Sequence, residues 1–420
     1  MDKDITKPTF LQYLEPINFE KFNEMILNLG VDKYVKKLST SKMISLLIYS
    51  QLFNVESLSH LSTVVNSDED LSELINLDSI STSQLSRKLR DLEPELIENI
   101  FKQLVVKAIA EKGVNEVREK LKHINIIDAS TISMAMSQYP WADFRETKAG
   151  VKINLRLKFC DVSDKVMPDK TVISPAKEAD RTKMEDLVVT DENALNIFDR
   201  GYVDYKKFDE YTDNNILFLS RLKGNAKIEY IETETKYIDG KEIKDSIVKL
   251  GNKNFNQMEN NLRLLEIPDD RDPDKIIKII TNDFERSAKE ISDLYRNRWK
   301  IEIFFKWIKQ HLQIKKFFGF SENAVENQII SALITHLLLV LFKKRVQTKK
   351  SLLEIKRIMD ICKYDSLKKL INKLKKPPSR TSKGRQKFDH EKMFELTKKQ
   401  VIEGNTDHLY DESTYNPVFL

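Results

Sequence analysis

Apolar and polar residues change period along this chain, and the changes separate helical stretches from strand-bearing ones. From residue 9 to about residue 62, Phe10, Leu14, Phe22 and Ile26, followed by the apolar run 43–53, recur at helical spacing. Residues 80–92 (ISTSQLSRKLRDL) set small polar residues ahead of another helical pattern, so Ser81 or Ser83 is the expected cap. That helix carries Arg87, Lys88 and Arg90, and it reads equally as the second helix of a DNA-binding helix-turn-helix or as an ordinary capped surface helix. The period then shortens. Residues 124–127 (INII) predict a short apolar strand ending at Asp128, residues 153–162 alternate as a half-buried strand, and residues 171–174 predict a third. A helical stretch at 178–189, a strand at 196–198 ending at Asp199, a helix at 205–211 and a strand at 216–220 complete a mixed α/β pattern.

Residues 224–281 interrupt that alternation with strand patterns at 227–232, 235–238, 246–250, 262–267 and 276–280, and with an Asp239–Gly240 hairpin turn. A helix-like run follows at 293–313 (DLYRNRWKIEIFFKWIKQHLQ). Next comes the most apolar segment, 329–342, which is too short to span a bilayer and reads as a core helix. Beyond Phe342 the chain turns basic, and the Pro-, Ser- and Gly-containing stretch within 373–387 predicts a flexible joint. The lysine-rich helices there suit either a solvated face or phosphate contact.

The totals narrow the class. A 420-residue chain is expected to hold two to four domains. With 40% hydrophobic residues, 32% charged residues and a net charge of +5, it fits a mildly basic protein with an anionic partner. Cys160 and Cys362 lie far apart with no CxxC spacing, which argues against a disulfide framework or a zinc site and favours a reducing, cytoplasmic compartment. No N-terminal segment resembles a signal peptide, and no membrane association is expected.

Candidate chemistry concentrates on the 293–313 run. At about 100° per residue, Tyr295, Arg298, Glu302 and Lys309 fall within about 60° of one another on a helix. Ile301, Ile303, Phe304, Phe305, Trp307, Ile308 and Leu312 form the opposite face, which is expected to be buried. Such a stripe is either a solvated face or one carboxylate held among a guanidinium, an ammonium and a phenol beside a phosphate backbone. Two strand-terminal aspartates, Asp128 and Asp199, with Glu302 on a helix, are what a phosphoryl-transfer site with two metal ions needs, although each aspartate also suits a helix cap.

These fragments carry a family resemblance. IIDAST (126–131), FDRGY (198–202), FLSRLKG (218–224) and YRNRWKIEIFFKWIK (295–309) look like the blocks of bacterial insertion-sequence transposases of the DDE class. The spacing Y-x2-R-x3-E-x6-K resembles the signature of the insertion-sequence-four family. The resemblance implies an α/β fold with a ribonuclease H-like catalytic core at 119–223 and 282–342 and a β-rich insertion at 224–281. The resemblance also covers a helical N-terminal module at 1–70, while the residue pattern itself predicts a possible helix-turn-helix region at 71–118 and a basic helical C-terminal region at 343–420. It further implies Asp128, Asp199 and Glu302 as catalytic ligands of two Mg²⁺ ions, with Mn²⁺ as a substitute. Tyr295, Arg298 and Lys309 would hold phosphates of the element ends; Arg87, Lys88 and Arg90, from the helix pattern at 80–92, are the further expected DNA contacts. The implied partners are double-stranded transposon ends and target DNA, with the protein acting as a homodimer in cut-and-paste transposition. The rival expectations are a ribonuclease H-like nuclease without strand transfer and a non-catalytic DNA-binding relic. Family members that form a hairpin stack a flipped base on a tryptophan of the insertion. Here the tryptophans are Trp141, Trp299 and Trp307, all outside it, and Tyr230, Tyr237 or Phe255 would be the substitutes.

Overall fold

Side chains that satisfy free backbone N–H groups set the starts of the N-terminal helices. The computed structural model describes residues 7–111, 123–159, 166–191, 194–269, 272–376 and 399. The chain divides into one unit, Met1–Leu374, and a second, Lys375–Leu420. The first unit begins with helices α1 (Thr9–Leu14), α2 (Phe19–Leu29), α3 (Thr40–Leu52), α4 (Leu58–Ser67), α5 (Glu69–Ile75), α6 (Thr82–Asp91) and α7 (Pro94–Glu111). Ser39, Ser57 and Asp68 cap α3, α4 and α5. At α6 the cap is Ser81 rather than Ser83, in a reciprocal box with Gln84.

The strand-bearing stretch contributes β1 (His123–Met134), β2 (Asp143–Arg145), β3 (Lys148–Phe159), β4 (Val166–Pro175), α8 (Met184–Leu187), β5 (Ala194–Phe198), α9 (Tyr205–Asp213) and β6 (Leu217–Arg221). β4 and β1 flank β3 antiparallel, while β5 pairs parallel with both β1 and β6. Every residue of β5 is buried, as expected of a parallel strand covered on both faces. Phe198 enters one apolar cluster with Ile127, Tyr202, Phe208 and Phe218, and Leu195 and Ile197 enter another with Leu219, Ile291 and Leu294. The helix expected at 178–189 is a 3-10 turn, Asp180–Lys183, followed by the single turn α8.

The next strands are β7 (Ile228–Ile238), β8 (Lys241–Leu250), β9 (Leu262–Asp269) and β10 (Asp272–Thr281). The two strands expected at 227–232 and 235–238 are one, β7, with a register shift between Tyr230 and Glu232. Asp239 and Gly240 both have positive φ (50° and 80°), which is the geometry a two-residue hairpin turn requires. These strands continue the same sheet, because β10 pairs antiparallel with β6.

The chain returns through α10 (Ala288–Arg296), α11 (Trp299–His311), α12 (Glu322–Val346), α13 (Leu352–Ile361) and α14 (Leu367–Lys375). The 293–313 run is therefore two helices. At the break, the N–H groups of Asn297, Arg298, Lys300 and Ile301 bond three residues back, a tightened turn that separates Tyr295 on α10 from Glu302 on α11. Ile301, Phe304, Phe305, Ile308 and Leu312 are buried as expected. Ile303 instead is exposed, and Trp307 is half-buried beside His311 and His336.

The apolar segment expected at 329–342 belongs to a longer helix. α12 has 25 residues and is long and apolar enough to cross a membrane, yet its apolar window is 89% buried inside the fold. It packs against α3, α6, α7 and α13 as a core helix. Its buried Gln328 bonds the carbonyls of Gln313 (2.5 Å) and Lys316 (2.9 Å), and Gln51 of α3 exchanges hydrogen bonds with the backbone of Gln313. These bonds pin the segment that follows α11 and so fix where that helix ends. Most of the basic stretch at 373–387, together with Cys160, lies outside the described residues.

Candidate active site

Strand register brings the two aspartates together. Ile126 is level with Ile197 and Ile127 with Phe198 across the parallel β1–β5 pair, so the next positions, Asp128 and Asp199, fall side by side on one face. Asp128 does not end its strand. β1 runs on to Met134, with Asp128 opposite Leu155 of β3, and what ends after Ile127 is the ladder with β5. Asp128 accepts the N–H of Ala129 (2.8 Å). Asp199 precedes a 3-10 turn, Arg200–Tyr202, but its side chain makes no capping bond. Neither aspartate is used as a helix cap.

α11 adds the third acid. Glu302 sits in its first turn and accepts from Arg298 Nη2 (2.7 Å), while Arg298 Nη1 lies 3.8 Å from Asp128. One guanidinium thus spans two carboxylates. Burial is the main force raising the pKa of Asp128 to about 6; the Ala129 N–H and Arg298 oppose the rise, and Asp199 and Glu302 add to it. Burial disfavours the charge of Arg298, but Tyr295, Glu302 and Asp199 together hold its pKa above the usual value. Lys309, two turns on, donates to the carbonyl of Thr131 in β1 (3.0 Å). Burial, then Lys315, lowers its pKa.

Two phenols complete the surroundings. The Tyr295 hydroxyl is buried without a hydrogen-bond partner, and burial first, then Asp199, pushes its pKa up to about 12 against the pull of Arg298. Tyr202 was not singled out from the sequence, although it closes the FDRGY block. Its hydroxyl is also buried and unpartnered, and burial, then Asp128, Asp180 and Asp199, raises its pKa. Asp180 likewise gave no sequence signal. It pairs with Lys152 (2.6 Å) and lies 3.2 Å from where a Cβ on Gly201 would stand. Two unpaired phenolic donors among several acids leave room for an oxygen-rich ligand such as a phosphodiester.

The candidate DNA contacts of α6 differ among themselves. Lys88 is tied to Asp32 (2.7 Å) and Thr40 (2.9 Å). Arg87 and Arg90 are exposed, and Arg90 pairs with its neighbour Asp91.

The donor set can be tested against a metal ion. Three carboxylates suit a hard divalent cation. Among the described residues, however, no three His, Cys, Asp or Glu side chains are drawn together closely enough to hold one. Arg298 stands between Asp128 and Glu302 and supplies the positive charge there. The chemistry of the donors fits a cation, and Arg298 is the group that would have to yield to it.

The geometry gathers Asp128, Asp199 and Glu302 around Arg298, and the similarity to known proteins gives the family. The family described as "Transposase DDE domain" matches residues 119–338, more than half of the chain. The protein belongs to that family and is a DDE-class transposase, an enzyme that cuts and transfers DNA with divalent metal ions. Residues 6–73 match a "Domain of unknown function (DUF4372)". A probable transposase for insertion sequence element IS5377 of Geobacillus stearothermophilus is 24% identical over 81% of this chain and 85% of its own length. A putative transposase for insertion sequence element IS4SA of Synechocystis is 25% identical over 62% of this chain and 71% of its own. Putative transposase y4zB of Sinorhizobium fredii is 34% identical over 36% of this chain and 43% of its own.

Proposed function

We propose that Asp128, Asp199 and Glu302 are the catalytic acids of a ribonuclease H-like core belonging to an insertion-sequence-four type transposase. In this reading they hold two Mg²⁺ ions, or Mn²⁺ in their place, at the terminal inverted repeat of an insertion sequence. The observation that carries it is the β1–β5 register, which sets Asp128 beside Asp199 under the helix that bears Glu302. The strand order supports it too: antiparallel β4, β3 and β1, then parallel β5 and β6. The bound ions would polarise the phosphodiester and activate the attacking oxygen.

The chain's own residues do the positioning. Arg298 clamps a phosphate with its planar fork, Lys309 supplies a point charge, and Tyr295 donates from its unpartnered hydroxyl. Arg87 and Arg90, on the exposed side of α6, meet DNA away from the cut, within a helical region at 71–118 that follows the N-terminal module at 1–70. The acids bracket the insertion at 224–281, and the basic region at 343–420 adds phosphate contacts. A homodimer holding two ends in the cytoplasm is the expected working form.

The test is cleavage of candidate terminal repeats with Mg²⁺ or Mn²⁺, with the break mapped on each strand. Glu302→Gln should bind the ends and fail to cut them; a variant that still cuts removes Glu302 from the site. Joining of pre-cut ends to a target plasmid separates transposition from simple hydrolysis.

A further inference from the structure

The helix that carries Glu302 is held from its far end. α11 starts on the tightened turn at 297–301 and has no side-chain cap there, because Arg298 at the cap position bonds the Glu302 carboxylate instead. Further on, Lys309 ties the helix to the Thr131 carbonyl of β1. After His311 the chain crosses 313–318, where no helix or strand supplies partners for the backbone.

Two glutamines supply them. Gln51 of α3 and Gln328 of α12 are both fully buried. Gln51 accepts the N–H of Gln313 (2.7 Å) and donates to the carbonyls of Gln313 (3.1 Å) and Gln328 (3.4 Å). Gln328 accepts the N–H of Phe318 (2.8 Å) and donates to the carbonyls of Gln313 (2.5 Å) and Lys316 (2.9 Å). Each amide uses both its oxygen and its nitrogen, so neither can turn over without losing bonds. An apolar side chain could fill the same space between helices. What a buried glutamine adds is direction, since a satisfied amide fixes the backbone it holds to within hydrogen-bond tolerance.

Gln51 lies within residues 6–73, the stretch whose matching family has no assigned function. Its helix packs against α2, α6 and α12, and through Gln51 the stretch reaches the end of α11 as well. We propose that Gln51 is a positioning residue for the cutting reaction, and that the 6–73 module braces the catalytic helix. Through Gln313 it sets the end of α11, and through that helix the places of Lys309 and Glu302. The proposal rests on the reading of Glu302 as a catalytic acid. α11 has 13 residues and is about 20 Å long, so a shift at one end is carried to both side chains. A misplacement of about 1 Å at a reacting centre costs about 100-fold in rate.

The test is Gln51→Met, which keeps the side-chain volume and removes its hydrogen bonds. On a duplex carrying the candidate terminal repeat, with Mg²⁺, the variant should bind within about twofold of wild type and cut about 10–100-fold more slowly at saturation. Tyr13→Phe is the control. It removes another buried bond between this module and α12, from the Tyr13 hydroxyl to the Thr335 carbonyl (2.6 Å). It should lower the melting temperature to a similar extent while leaving binding and cutting within about twofold. Hydrogen exchange of the full-length protein without DNA or metal should be about tenfold faster over 303–318 in Gln51→Met and unchanged there in Tyr13→Phe. If Gln51→Met does not fold, Gln51→Asn, one methylene short of Gln313, replaces it with the same expected split. Normal cutting by the Gln51 variant, equal losses in its binding and cutting, equal slowing by Tyr13→Phe, or unchanged exchange at 303–318 would each overturn the proposal. The exchange measurement involves no cleavage, so its outcome is separate from whether Glu302→Gln still cuts.

Discussion

Two arginine–carboxylate groups on this one sheet behave differently. Arg263 on β9 meets Asp245 on β8 through two hydrogen bonds of 2.8 and 2.7 Å, with both side chains under 10% exposed. Its Nη1 also bonds the carbonyl of Arg286 (2.5 Å), so the charge and geometry are saturated. Arg298 instead makes one good bond to Glu302 and a 3.8 Å approach to Asp128, with Asp199 close by and two unpartnered phenols around it. The first group holds two strands and the turn before α10 together. The second has more acid than base, and the two phenolic hydroxyls near it have no partner. An ion pair with every valence filled is a strut, whereas one left short of charge is a place for something to bind.

Exchanging the acids should separate the two most sharply. Asp128→Asn should reduce Mg²⁺-dependent cleavage of an end substrate by about 10³-fold or more, measured as initial rate, while its melting temperature stays at or above wild type. Asp245→Asn should leave the cleavage chemistry intact in the folded fraction but cost about 3–5 kcal/mol in urea unfolding, since it strands a buried guanidinium. If Asp128→Asn unfolds and Asp245→Asn does not, the assignment of strut and site is reversed.

The arginines come next. Arg298→Lys loses the planar fork and should slow cleavage about 10–100-fold with little change in melting. Arg263→Lys should cost about 1–3 kcal/mol in urea unfolding, with normal cleavage by the folded protein.

pH should move the two acids in opposite directions. Asp128 has a folded pKa of about 6, above its unfolded value, so its contribution is full at low pH and disappears as pH rises through about 6. Wild type should therefore lose stability relative to Asp128→Asn between about pH 4 and pH 7 in EDTA. For Asp245, burial raises the pKa, but the bonds from Arg263 and Lys236 outweigh it and hold the carboxyl below its ordinary value. Its contribution is full above the unfolded pKa and is lost only as pH falls through the lowered one. Parallel melting curves showing the same slope for both acids would contradict this.

The smallest effects belong to α6, where the same contrast recurs. Lys88→Gln releases Asp32 and should cost about 1 kcal/mol of stability. Arg87→Gln should change stability by less than about 0.5 kcal/mol while weakening DNA binding and its salt dependence.

The sequence by itself determined what neighbouring residues decide. The shift from helical to alternating period separated the N-terminal helices from the sheet, Ser81 with Gln84 started α6, and Asp239–Gly240 made the hairpin. The candidate acids were legible because an acid next to an apolar strand is a local pattern. Tertiary structure decided the rest. Only strand pairing placed Asp128 beside Asp199, and it did so in mid-strand, because β1 continues along β3 after its ladder with β5 stops. Only packing broke the 293–313 run at Asn297 and left Ile303 in solvent. The partners of Lys88 and the phenol of Tyr202 depend on residues far away in the chain, which no local period encodes. Periodicity reports which face of an element is covered; what covers it is set by long-range pairing, whose energy comes from the assembled fold.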